Sequence, residues 1–227
     1  MKYSLIIPIY NEINTLNRLL KKINYFPSNL EIIIVNDGSC DGTDKVLKNQ
    51  TKFKIIENEK NRGKGYCIRK GIKSASFENI VLIDGDLEID VEQIPFLINR
   101  YEVLKNAVLV GVRWSNIKKK KLTNFNDLGN YVLNIIFNNI YGTNHNDILC
   151  CVKIIKKTII VSLNLTSDDF SIESEIMAKL ALKKIPIEEI NVNYKRRSVK
   201  QGKKLRMIHG LSILSTILKT KLFYKEK

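Results

Sequence analysis

The chain of 227 residues is short of several things that would narrow its reading at once. Its four cysteines, Cys40, Cys67, Cys150 and Cys151, form neither a CxxC pair nor a zinc-ligand spacing, so the sequence predicts reduced thiols in a cytosolic compartment rather than a disulfide framework. The two histidines, His145 and His209, are too few and too far apart for a metal centre of their own. Aromatic residues make up 8% and do not interleave with the basic ones, which argues against stacking platforms for nucleic acid despite a formal charge of +15. No apolar run reaches the roughly 20 residues that span a bilayer. The start, Met1-Lys2-Tyr3-Ser4-Leu5-Ile6-Ile7-Pro8, is too short an apolar stretch for an export signal. What remains is a globular composition, 44% hydrophobic and 27% charged, in a length that suits one core, with a cationic surface that attracts phosphates.

Four short runs rich in Ile, Val and Leu, Ser4-Leu5-Ile6-Ile7-Pro8, Glu31-Ile32-Ile33-Ile34-Val35, Phe53-Lys54-Ile55-Ile56-Glu57 and Asn79-Ile80-Val81-Leu82-Ile83, read as strands covered on both faces. Helical spacing fills the gaps between them: residues 12–24 place Ile13, Leu16, Leu19, Leu20 and Ile23 on one side, and residues 41–49 and 65–75 follow suit. The alternation predicts an α/β protein with a mostly parallel sheet flanked by helices. Ligands of such sheets bind beyond the carboxyl ends of the strands. The polar residues concentrate there: Pro8 to Glu12 after the first strand, Asn36-Asp37-Gly38-Ser39 after the second, Asn61-Arg62-Gly63-Lys64-Gly65 after the third and Asp84-Gly85-Asp86 after the fourth.

Two carboxylates at i and i+2 behind a buried strand, with glycine between them, can approach one hard cation, as a departing diphosphate requires. The glycine-rich, basic segment before a helix suits phosphate. Asp37 reads as an acceptor for a nucleotide base, and Asp41 or Thr43 as the N-cap of the following helix. Later in the chain a basic run, Lys118 to Lys121, precedes an apolar helical stretch over 128–140. A helix is expected around 173–184 and a final amphipathic one over 207–223.

Taken together these segments resemble the inverting glycosyltransferases of family two, of GT-A (Rossmann-like) fold, and within them the polyprenyl-phosphate (dolichyl-phosphate) mannosyl- and glucosyltransferases. The narrower resemblance rests on Gly111-Val112-Arg113, on Asp147 to Lys153, on Phe170 to Glu175 and on Tyr194-Lys195-Arg196-Arg197 with Gly202-Lys203-Lys204-Leu205. Asn36 stands where the family's first acid is usual, Glu88 where many relatives have Gln, and Cys151 where Gly is usual.

The resemblance implies a single domain over residues 1–227, a nucleotide-sugar-binding half (1–112) followed by an acceptor-binding half with amphipathic helices (113–227). It implies that Pro8, Tyr10, Glu12 and Asp37 hold base and ribose, with Lys64 and Glu173 also on the donor. Asp84 and Asp86 would bind Mg or Mn, and Arg113, Arg197 and Lys204 the acceptor phosphate. Catalysis falls to Asp86, Asp147, Arg113 and Arg197, with Asp147 and Glu173 orienting the donor sugar. The implied partners are a nucleotide sugar of GDP-mannose or UDP-glucose type, a polyprenyl phosphate and the cytoplasmic face of a membrane, touched peripherally; nucleic acid is not among them. A glycan or small-alcohol acceptor, with Asp147 as base, is the alternative within the family. A catalytically silent nucleotide- or nucleic-acid-binding protein is the alternative outside it.

Overall fold

A computed structural model describes residues 1–104, 108–114, 125–197 and 209–224. The Lys118 to Lys121 run and the Gly202 to Leu205 segment, with Lys204, lie outside the described residues.

Strands β1 (Tyr3–Ile9), β2 (Leu30–Asn36), β3 (Lys54–Glu57) and β4 (Asn79–Leu82) alternate with helices α1 (Ile13–Ile23), α2 (Thr43–Lys48) and α3 (Lys64–Ser74). A 3-10 turn (Val91–Gln93) and α4 (Ile94–Glu102) lead to β5 (Val108–Val112). Then follow α5 (Phe125–Tyr141), β6 (Lys153–Lys156), α6 (Lys157–Ser162), α7 (Ile172–Leu182), β7 (Ile187–Asn191) and α8 (His209–Phe223). The seven strands form one sheet in the order β3-β2-β1-β4-β6-β5-β7, in which β6 alone runs against its neighbours. Parallel pairing puts the carboxyl ends of β1 to β4 at one edge.

Period-two alternation explains why continuous apolar runs suit these strands. Leu5, Ile7 and Ile9 of β1, Ile32 and Ile34 of β2 and Val81 of β4 pack with α1, α2 and α4 on one face. Ile6, Ile33, Val35, Ile80 and Leu82 point the other way and pack with α3, α5, α6, α7 and α8. Helix α7 is buried from Ile172 through Leu180, so its apolar residues are not confined to one stripe and its charged residues Glu173, Glu175 and Lys179 are buried in ion pairs. The helical spacing read from the sequence misses α4 and α6. Pro95 enters α4 in its first turn, where a missing N–H costs nothing, and α6 is only six residues long.

Asp41 and Thr43 do not cap α2 in the way expected. Gly42, at φ +98°, holds the N-cap position. Asp41 serves both helices, one oxygen accepting from Thr43 N at the start of α2 (3.0 Å) and the other from Ile13 N at the start of α1 (3.0 Å), while Thr43 Oγ1 accepts from Glu12 N (3.0 Å). The two loops are thereby tied together, and Asn11 N donating to Ser39 Oγ at 2.8 Å adds a further tie.

Helix α3 lies so close to β1 that a Cβ on Gly71 would sit 2.4 Å from Ile6 Cγ2. Gly71→Ala is expected to destabilise the protein by about 1–3 kcal/mol in urea unfolding, because overpacking outweighs the roughly 1 kcal/mol that alanine gains in a helix. A more stable variant would show that α3 can back away.

Candidate active site

The loops after β1 to β4 and the segments around Arg113, Phe170, Glu173 and Arg197 enclose a cavity of about 420 Å³, within the range of small-molecule sites. Pro8, Tyr10, Glu12, Asp37, Lys64, Asp84, Asp86, Arg113, Glu173 and Arg197 all line it. Asp147 does not line it.

The loop after β3 is built around Asp37. Its carboxylate accepts from Arg62 N (2.8 Å), Gly63 N (2.8 Å) and Asn58 Nδ2 (2.9 Å), so much of its capacity holds that loop in place rather than waiting for a base. On the other side the loop abuts residues 167–169: a Cβ at Gly63 would lie 2.3 Å from Asp168 O, and one at Gly65 2.2 Å from Ser167 O. Gly63, at φ +99°, also needs a conformation that other residues avoid. Neighbouring Asn36 shows why an amide is useful where the family has an acid. It donates to Glu57 Oε2 at 2.6 Å while accepting from Ser39 Oγ at 2.5 Å, and a carboxylate could only do the second.

Charge is arranged in two chains of alternating sign. In the first, Asp84 meets Lys64 at 2.8 Å, Lys64 meets Glu173 at 2.7 Å, and Glu173 contacts Lys153. In the second, Glu12 takes a two-point contact from Arg197 (2.8 and 3.0 Å), and Arg197 reaches Asp86 at 3.2 Å. Burial opposes the charge on Lys64, but the attraction of Asp84 and Glu173 outweighs it and raises its pKa well above the usual lysine range. Glu173 is buried as well, yet Lys153 and Lys64 hold its carboxyl below the ordinary value. Asp86 behaves oppositely: burial and the charge of Asp84 push it up to about 6, against the pull of Arg197. Leu87, next in the chain, sits at φ +60°, a strained backbone of the kind found at binding sites.

Arg113 closes the far side. Its Nε and Nη2 donate to the two oxygens of Asp147 at 2.7 and 2.8 Å, and its backbone N donates at 3.1 Å. The guanidinium lies 4.6 Å from the ring centre of Trp114 and 5.5 Å from that of Tyr194. Asp147, only 2% exposed, is thus placed to hold Arg113 and not to touch a ligand. Sequence reasoning did not find this pairing, nor the engagement of Glu12 by Arg197, because each joins residues far apart in the chain.

The acidic pair suits a hard cation. Asp86 is burdened by a like charge and by burial, which a cation would relieve. Among the described residues no group of three His, Cys, Asp or Glu side chains could hold a metal. Two carboxylates completed by phosphate oxygens and water are, however, the usual donor set for Mg.

Residues 4–162 match the family model described as Glycosyl transferase family 2. Over 180 residues the chain is 28% identical to the dodecaprenyl-phosphate galacturonate synthase of Rhizobium johnstonii, covering 74% of this chain and 52% of that protein. Over 130 residues it is 35% identical to the dolichol-phosphate mannosyltransferase of Pyrococcus furiosus, covering 55% and 36%. The chain therefore spans about half the length of the first relative and about a third of the second. Among solved structures it superposes on Mycobacterium tuberculosis glucosyl-3-phosphoglycerate synthase, in complex with Mn2+, UDP and glucosyl-3-phosphoglycerate. The TM-score is 0.76 at 12% identity, covering 100% of this chain and 81% of that one. Sheet order, loop edge and this likeness define a GT-A fold. The chain belongs to glycosyltransferase family 2.

In metal-free protein, Asp86→Asn tests the burden on Asp86. With a native pKa of about 6 against 3.8 in the unfolded chain, the native state holds more protons between these values, so this group lowers stability as pH rises through them. The variant is expected to be more stable than wild type by about 1–2 kcal/mol in urea at pH 8, with the gain gone by pH 4. Equal or lower stability at pH 8 would contradict it.

Proposed function

We propose that the protein is an inverting, metal-dependent hexosyltransferase that moves a sugar from a nucleoside-diphosphate donor to a polyprenyl phosphate at the cytoplasmic membrane face. The observation that carries this reading is the presence of two anion-directed groups of residues in one cavity. The first is the acidic pair Asp84 and Asp86 with Lys64, and the second is the pair of arginines Arg113 and Arg197. The names of the relatives from Rhizobium johnstonii and Pyrococcus furiosus point to the same acceptor class, and the Mn2+ and UDP of the mycobacterial structure to the same donor class.

Pro8, Tyr10, Glu12 and Asp37 line the cavity wall that would receive base and ribose, of GDP-mannose or UDP-glucose type. Asp84 and Asp86 would hold Mg or Mn, which supplies neutralisation of the diphosphate as it departs. Lys64 stands beside them to receive the charge of the leaving group. A phosphate acceptor ionises near neutral pH. Its oxygen can attack the anomeric carbon directly, forming one C–O bond as the bond to the diphosphate breaks and its electron pair leaves with the diphosphate. Arg113, with Nε and one Nη2 proton given to Asp147, keeps Nη1 for that phosphate. An alcohol acceptor would need a base, and both oxygens of Asp147 are engaged by Arg113, which favours the phosphate reading.

Exposed apolar residues support peripheral contact with a membrane. Leu128, Val132 and Ile135 recur at helical spacing on α5, as do Leu211, Leu218 and Leu222 on α8. No helix among the described residues is long and apolar enough to cross a bilayer.

Purified protein with Mn2+, a labelled nucleotide sugar and a polyprenyl phosphate is expected to yield a chloroform-soluble sugar lipid; absence of product with every donor tried would overturn the reading. Arg113→Lys, which loses the forked geometry, is expected to raise KM for the polyprenyl phosphate about 10–100-fold while KM for the donor stays within twofold. Equal effects on both would remove Arg113 from the acceptor side.

A further inference from the structure

Lys153 is the most unusual residue of the interior. Its side chain is fully buried at the start of β6, although lysine is almost never fully buried without a partner. The β4–β6 register sets Lys153 opposite Leu82, two residues before Asp84, and both lie on the sheet face covered by α7. From there Nζ donates to Cys150 O at 2.6 Å and contacts Glu173 in the first turn of α7. The other oxygen of Glu173 lies 2.7 Å from Lys64, whose Nζ is 2.8 Å from Asp84. Lys64 lines the cavity; Lys153 does not.

Lys64 therefore has two anionic partners of different kinds. Asp84 faces the cavity and its carboxylate is 28% exposed, whereas Glu173 is 4% exposed and fixed from behind. A cation that takes Asp84 removes the first partner. Only the second can then keep the ammonium pointing at a bound diphosphate. Glu173 can serve because Lys153 balances its charge; with a single lysine, Glu173 would draw Lys64 inward and away from Asp84.

We propose that Lys153 is a positioning residue for the donor site, acting through Glu173 to hold Lys64 at the diphosphate once Asp84 is engaged. This rests on the donor half of the function proposed above and is independent of the acceptor.

The test is a double-mutant cycle on binding of Mn2+ with UDP or GDP, whichever the wild type binds, followed by calorimetry, with donor KM and kcat measured alongside. Lys153→Met is expected to weaken nucleotide binding about tenfold and to raise donor KM to match, with kcat within threefold. Lys64→Met is expected to weaken binding at least as much, and Lys64→Met with Lys153→Met to be no weaker than Lys64→Met alone. Effects that multiply, or Lys153→Met binding within twofold of wild type, would overturn the proposal. Should Lys153→Met not fold, Lys153→Met with Glu173→Gln leaves no unpaired buried charge. That pair is expected to fold and still bind about tenfold more weakly, and wild-type affinity in it would overturn the proposal equally. A wild type that binds nucleotide but makes no sugar lipid removes the proposed acceptor and leaves Lys153 in its role.

Discussion

The structure turns on how negative charge is held at the carboxyl edge of the sheet. Glu12, Asp84, Asp86 and Glu173 all line one partly closed cavity, and carboxylates so placed repel one another and resist desolvation. Arg197 and Lys64 answer this by bridging them, and Lys153 balances the innermost. Most of the surrounding architecture serves that arrangement. Asp37 spends its carboxylate on backbone N–H groups so that the loop carrying Lys64 stays in register, and Gly63 and Gly65 let the loop press against residues 167–169 ahead of α7.

The same arrangement links stability with binding. Burial and the neighbouring charge of Asp84 raise Asp86 toward neutrality, and Arg197, held at closer range by Glu12, pulls against them only in part. A site satisfied by its own cations needs little else to fold, while one left slightly short of positive charge is prepared for a cation and its diphosphate. Arg113 follows another logic. Asp147 and two aromatic rings hold the guanidinium rigid, which suits recognition of a phosphate by geometry more than by charge alone.

The sequence carried much of the fold because β1 to β4 are contiguous apolar runs with polar loops at their ends, and period-two burial on both faces leaves little else they could be. Asp84 and Asp86 were legible for the same reason: they stand two apart, across one glycine, and follow a strand. What could not be read was pairing at a distance. Glu12 and Arg197 stand at opposite ends of the chain, and nothing local in either says that they meet. Asp147 looked available to a ligand until its two oxygens were found on Arg113. Lys153 entered the sequence reading only as the end of the Asp147 to Lys153 segment, and the antiparallel placement of β6 against β4 is what puts it under α7. Asp41 and Thr43 matched a capping pattern, but only Asp41 keeps a bond to the start of α2, and both are also claimed by the start of α1.

If internal cations hold the acids until a diphosphate arrives, metal and nucleotide must bind together. Calorimetric titration of Mn2+ into the protein, with and without a saturating nucleoside diphosphate, tests this most directly. Mn2+ alone is expected to bind weakly, since the described residues hold no group of three ligands and Asp84 and Asp86 are already paired with Lys64 and Arg197, and to bind at least tenfold tighter with nucleotide present. Equal Mn2+ affinity in the two titrations, or nucleotide binding unchanged by a chelator, would contradict it.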